Sequence, residues 1–141
     1  MLCNKLASYK CKNTNDLLPI YALVDWDPDG LGIMSSYKHG SASSQQHDNP
    51  TSSRLHWLGL TSEEVCSADD DRHNQELLPL SIRDRRKATK MLEWQNLQED
   101  DIEAGWRREL QVMLMVNYKA EIQLMDEQEG GVQEWVKEKL L

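Results

Sequence analysis

The chain has 141 residues, 39% of them hydrophobic and 28% charged, enough for one domain with its own core. Its formal net charge of -8 and pI near 4.9 speak against a domain that grips nucleic acid by bulk positive charge. They do not exclude a metal-dependent DNA enzyme, whose carboxylates add negative charge.

Three cysteines, Cys3, Cys11 and Cys66, form no CxxC pair, which points to reduced thiols in an intracellular, soluble protein. The start lacks the long apolar core of a signal peptide. No apolar run approaches the roughly 18 residues that span a membrane. Residues 1–18 are poorly patterned, with Leu2, Leu6 and Tyr9 marking at most a truncated helix.

Pro19-Ile-Tyr-Ala-Leu-Val24 is a continuous apolar run of β-formers, expected as a strand buried on both faces in a parallel sheet. Asp27 followed by Pro28 gives an N-cap and a first helical residue. The helix is expected from Pro28 to Lys38, with Leu31, Met34 and Tyr37 on one face. Residues 39–53 are a polar loop. Arg54–Leu60 reads as a second strand, and Thr61-Ser-Glu-Glu64 as a capping box that opens a helical turn. Residues 67–76 are acidic and loop-like.

Ser81 and Asp84 form the next expected capping box, with a helix to Leu92. The longest helical pattern spans Ile102–Met125, where Trp106, Leu110, Met113, Leu114, Tyr118 and Ile122 recur at three and four. Gly130-Gly131 is expected to end it, before a short helix over 132–141. Alternating strands and helices give an α/β class: a partial parallel sheet with flanking helices and a helical C-terminal portion.

The stretch Asp25-Trp-Asp-Pro-Asp-Gly30 demands an explanation. As an EF-hand loop it fails, because the twelfth position is Ser36 instead of a bidentate Glu and a strand precedes it. A phosphatase of the haloacid dehalogenase type would use Asp25 as nucleophile and Asp27 as acid/base. Its later acidic pair would have to be Asp69-Asp70-Asp71, which no apolar strand delivers. A purely structural reading has Asp27 capping the helix and Asp25 filling a turn. Against it, alternating carboxylates at the carboxyl end of a strand sit where open α/β sheets bind ligands. Such carboxylates repel unless a cation lies between them, and their hard oxygens suit magnesium.

Leu23-Val-Asp-Trp-Asp-Pro-Asp-Gly30, followed by Ile33-Met-Ser-Ser-Tyr-Lys-His-Gly-Ser41, resembles the Toprim metal motif of the topoisomerase VI A-subunit family. That family includes the eukaryotic protein that makes meiotic double-strand breaks. The resemblance continues in order through Leu55-His-Trp-Leu-Gly-Leu60, Leu80-Ser-Ile-Arg-Asp84, Trp106-Arg-Arg-Glu-Leu110, Tyr118-Lys-Ala-Glu-Ile122 and Val136-Lys-Glu-Lys-Leu140. It covers residues 19–141, a Toprim-like domain incomplete at its N-terminal side. It implies Asp25 and Asp27 as magnesium ligands of a DNA-cleaving, type IIB topoisomerase-like subunit that acts in meiotic recombination. Asp29, at a variable position of the motif, reads as a solvated charge in the first turn of the helix. The resemblance also implies double-stranded DNA as substrate, a homodimer, an ATPase B-like subunit, meiotic break-forming accessory proteins as partners, and a nuclear, chromosomal setting. No membrane is involved.

The family's nucleophilic tyrosine and its Toprim glutamate are not matched in this sequence. Tyr9, Tyr21, Tyr37 and Tyr118 lack the nucleophile's setting. The expectation is therefore that the chain alone neither cleaves DNA nor holds magnesium tightly. An interaction module that keeps the dimer surface without chemistry is the alternative. Arg83, Arg85, Arg86 and Lys87, with Lys90, form a basic cluster that either contacts DNA phosphates or is a solvated helix face. His39, at the loop edge, is a further DNA-contact candidate, whereas His47, His56 and His73 have no ligand spacing. Arg107 and Arg108 share the ambiguity of the basic cluster. Lys119 and Glu121 read as helix-surface residues.

Overall fold

A computed structural model of the chain describes residues 18–39, 54–66, 77–94, 101–126 and 130–141; of His39 and residues 101–104 it describes the backbone alone. The N-terminal segment, the loop after His39 and the acidic stretch with Asp69–Asp71 lie outside the described residues.

The apolar run forms β1 (Ile20–Ala22), which pairs in parallel with β2 (Leu55–Trp57) in the register Ile20 to Leu55, Tyr21 to His56 and Ala22 to Trp57. Between them α1 (Pro28–His39) makes the crossover that parallel strands require. The expected burial of both strand faces does not hold. Tyr21 and Leu23 are each more than 40% exposed, and Tyr21 lies against the His56 ring. The inner face carries the packing: Ile20, Ala22 and Val24 rest on the core.

After β2, α2 (Ser62–Cys66) begins where expected, with the Thr61 N–H donating to Glu64 Oε2 at 3.0 Å. That box is half-formed, since the Glu64 N–H donates to the Thr61 carbonyl and not to its hydroxyl, whereas the second capping box is complete. The Ser81 N–H donates to Asp84 Oδ2 at 3.0 Å and the Asp84 N–H donates to Ser81 Oγ at 3.1 Å, opening α3 (Ile82–Leu92).

The long helical pattern is cut short. Helix α4 (Asp101–Val116) stops at Asn117, which adopts φ +63°. Asparagine tolerates this left-handed backbone better than most residues, which makes it a usable helix terminator. The chain then turns into β4 (Tyr118–Lys119), antiparallel to β3 (Leu78–Pro79), and Ala120 bridges Trp26. Residues 122–125 form a 3₁₀ helix. Tyr118 therefore leaves the apolar stripe and is exposed, and Tyr37 on α1 is half-exposed although Leu31 and Met34 are buried. The diglycine does not end a helix. Gly130 and Gly131, at φ +91° and +64°, lead into α5 (Gly131–Leu140).

The core joins α1, α3 and α4 through Trp26, Leu31, Met34, Leu60, Met91, Trp106, Leu110 and Met113. Helix α5 closes over α2, with Trp135 Nε1 donating to Glu64 Oε1 at 3.0 Å and Lys139 pairing with the same carboxylate at 2.9 Å.

Candidate metal centre

Trp26 is the pivot of the acidic stretch. It is fully buried, and its backbone exchanges two hydrogen bonds with Ala120, at 2.9 and 3.1 Å. In extended backbone, neighbours of an inward residue point outward. Asp25 and Asp27 thus leave the core on either side of Trp26, at the carboxyl end of β1.

Each aspartate is fixed by one oxygen. Asp25 Oδ1 accepts the Ile122 N–H at 2.8 Å, and Asp27 Oδ1 accepts the Gly30 N–H at 2.5 Å. Asp27 therefore caps α1, as the structural reading expects, while its second oxygen is not used by the cap. Gly30 is required by closeness: a Cβ there would lie 2.5 Å from the Asp25 carbonyl oxygen and 3.1 Å from Asp27 Oδ1. Burial raises the Asp27 carboxyl above its ordinary range, and the Asp25 and Asp29 charges add to this, against the lowering effects of the Gly30 N–H and Lys119.

These features fit a divalent cation. The donors are hard oxygens, and the carboxylate pair gains from positive charge between them. Among the described residues no group of three or more His, Cys, Asp or Glu side chains converges. The chain would supply two ligands and leave other positions to water or phosphate, an arrangement magnesium accepts.

The Asp29 side chain stays 39% exposed in the first turn of α1, and it is also paired. It binds Lys87, with Arg83 at 3.9 Å, and the Lys87 hydrogen bond holds its carboxyl below the ordinary range despite partial burial. This pairing ties α1 to α3. The basic cluster is accordingly divided: Lys87 and Arg83 face Asp29, Arg85 donates to Asn117 Oδ1, and Arg86 lies exposed. His39 ends α1, its side chain outside the described residues. Arg107 donates to the Leu92 carbonyl at 2.6 Å, a tie between α4 and the end of α3, and Arg108 is exposed.

Two residues near the centre escape sequence reasoning. Glu109, 8% exposed, accepts from Trp26 Nε1 at 2.6 Å, the Ser62 N–H at 2.7 Å and Ser62 Oγ at 3.0 Å. Its sequence signal is its place in the 106, 109, 110, 113 stripe, where a lone carboxylate interrupts apolar residues. Lys119 is not a helix-surface residue; it pairs at 3.0 Å with Asp84, whose side chain is 6% exposed. Nothing in the sequence marks this contact until the helix break at Asn117 is known.

Residues 9–140 match the family model of the Toprim domain shared by the topoisomerase 6 A-subunit and Spo11. The meiotic recombination protein SPO11-2 of Oryza sativa subsp. indica is 32% identical over 124 residues, which are 88% of this chain and 30% of the relative. The mouse meiotic recombination protein SPO11 is 33% identical over 109 residues, 77% of this chain and 26% of the relative. The A3 subunit of DNA topoisomerase 6 from Oryza sativa subsp. indica is 37% identical over 112 residues, 77% of this chain and 24% of the relative. The chain spans about a quarter to a third of the length of these relatives.

Proposed function

Because the chain belongs to the Toprim family of the topoisomerase 6 A-subunit and Spo11, we propose that it is the magnesium-holding part of a DNA-cleaving subunit in meiotic recombination. The observation that carries this reading is the pair Asp25 and Asp27, projected from either side of buried Trp26 and pinned by the Ile122 and Gly30 amides. The names of the relatives supply the meiotic and topoisomerase setting. Double-stranded DNA as substrate, a dimer, an ATPase B-like partner, accessory break-forming proteins and a nuclear location belong to the same proposal.

Bound between the two carboxylates, magnesium would supply positive charge to a DNA phosphate. The residues of this chain hold that position. Trp26 anchors the strand end, Glu109 anchors Trp26, and Gly30 lets α1 start against the Asp25 carbonyl. The nucleophile is not assigned to any residue here.

The test is a full-length subunit carrying this segment, with Asp25→Asn and Asp27→Asn introduced singly. Loss of divalent-dependent double-strand cleavage, with dimerisation intact, supports the reading. Unimpaired cleavage would favour a module that acts through partner contacts alone. The exposed Tyr21 and Leu23 on the outer face of β1 are the observation on which that second reading rests.

A further inference from the structure

Lys119 stands across from Asp27. The antiparallel bridge between Trp26 and Ala120 places residue 119 opposite residue 27, and both inward residues of the bridge are fully buried. Directly opposed residues share a face, so Lys119 and Asp27 leave the core on the same side. The ammonium of Lys119 is held 3.0 Å from Asp84 Oδ2. Asp84 cannot drift, because it is buried and locked into the first turn of α3 by the Ser81 N–H. An ammonium has three donors, and the contact with Asp84 needs one. The side chain of Lys119 is 23% exposed, enough for its head to meet a ligand. Of the neighbouring cations, Lys87 is bound to Asp29 and Arg85 donates to Asn117 Oδ1, while Arg83 lies 3.9 Å from Asp29 with its side chain 81% exposed.

We infer that Lys119, anchored on Asp84, is a phosphodiester-binding residue beside the two-aspartate centre, donating to a non-bridging oxygen of the DNA phosphate held there. This rests on the reading of Asp25 and Asp27 as cation ligands. The hydrogen bond from Lys119 to Asp84, with the charges of Asp27 and Asp29, holds the ammonium protonated above its ordinary range. A fixed positive charge at this edge favours a phosphate over a neutral ligand, and it acts on the backbone without reading base sequence.

Removing Lys119 alone strands a buried carboxylate, so the informative variant neutralises both partners, Asp84→Asn with Lys119→Met. The experiment measures Mn²⁺ binding and Mg²⁺-dependent binding of a short DNA duplex to the full chain. The double variant is expected to keep its Mn²⁺ affinity and to lose at least about tenfold in duplex affinity. The slope of log affinity against log salt should fall by about 0.9, one phosphate contact fewer. Lys119→Arg should bind duplex within about threefold of wild type. Unchanged duplex affinity and slope in the folded double variant would overturn the inference and leave a structural ion pair. Inorganic phosphate displacing duplex at equal concentration would overturn it in favour of a free-anion site. Absence of Mn²⁺ binding by wild type would refute the two-aspartate reading itself, and this inference would fall with it.

Discussion

Replacing Glu109 tests whether the centre is built from the core outward. Its Oε2 accepts two donors, Trp26 Nε1 at 2.6 Å and the Ser62 N–H at 2.7 Å, and its Oε1 accepts Ser62 Oγ at 3.0 Å. Hydrogen bonds to a charged group contribute about 1.5–3 kcal/mol each, and orphaned buried donors carry a desolvation penalty. The three bonds are not additive, and Glu109→Ala is expected to cost about 3–5 kcal/mol, because two or three buried neutral donors lose their acceptor at about 1–3 kcal/mol each. That is a large share of the roughly 5–15 kcal/mol of a typical domain and lowers the melting temperature by roughly 10–20 °C.

Glu109→Gln gives the contrast. Its amide oxygen can take the Oε2 place and keep both N–H donors, while its NH₂ donates to Ser62 Oγ, since a hydroxyl accepts as well as donates. The loss is then the charge assistance, about 1–2 kcal/mol. Urea titration followed by circular dichroism measures both variants. Glu109→Ala within about 1 kcal/mol of wild type, or Gln as damaging as Ala, would refute the argument.

Gly30→Ala should cost about 1–3 kcal/mol by overpacking, because the Asp25 carbonyl lies 2.5 Å from the new Cβ; the same urea titration reads it. Asn117→Gly should fold with near-wild-type stability, whereas Asn117→Val should lose about 1–2 kcal/mol at the +63° backbone, and their thermal melts decide this. Burial alone would raise the Glu64 carboxyl, but hydrogen bonds from Lys139, the Thr61 N–H and Trp135 hold it below its ordinary 4.5. A depressed native pKa gives stability that is complete above 4.5 and is lost as pH falls through the native value. Melting temperature measured from about pH 6 downward should therefore fall less steeply in Glu64→Gln than in wild type.

Much of this fold is legible in the sequence where local chemistry and packing agree. Ser81 and Asp84 cap α3 as their spacing dictates, and Asp27-Pro28 opens α1. The failure at residues 117–125 has a physical origin. Trp106, Leu110 and Met113 fix a helical period that Tyr118 and Ile122 continue by coincidence, while the left-handed turn at Asn117 is stabilised by partners distant in sequence. The Leu80 N–H donates to the Asn117 carbonyl at 3.0 Å, and Trp26 claims Ala120. The burial of β1 is misjudged for a related reason: an apolar run states what can be buried, and Tyr21, beside the His56 ring, stays 46% exposed. For the candidate site, alternation singles out Asp25 and Asp27 as the candidate carboxylates, but Glu109 is joined to Trp26 between them and Lys119 is brought opposite Asp27 by tertiary contacts that no spacing encodes.

The central claim is that Asp25 and Asp27 together hold a divalent cation. Mn²⁺ titration of the isotope-labelled chain, followed by paramagnetic broadening of backbone amides, tests it most directly. The Gly30 and Ile122 amides donate to the two carboxylates and are the reporters. They should broaden first, with an apparent dissociation constant on the order of 10⁻⁴–10⁻³ M for so few charged ligands. The effect should vanish in Asp25→Asn/Asp27→Asn. Broadening that spares these amides, or that persists in the double variant, would contradict the account.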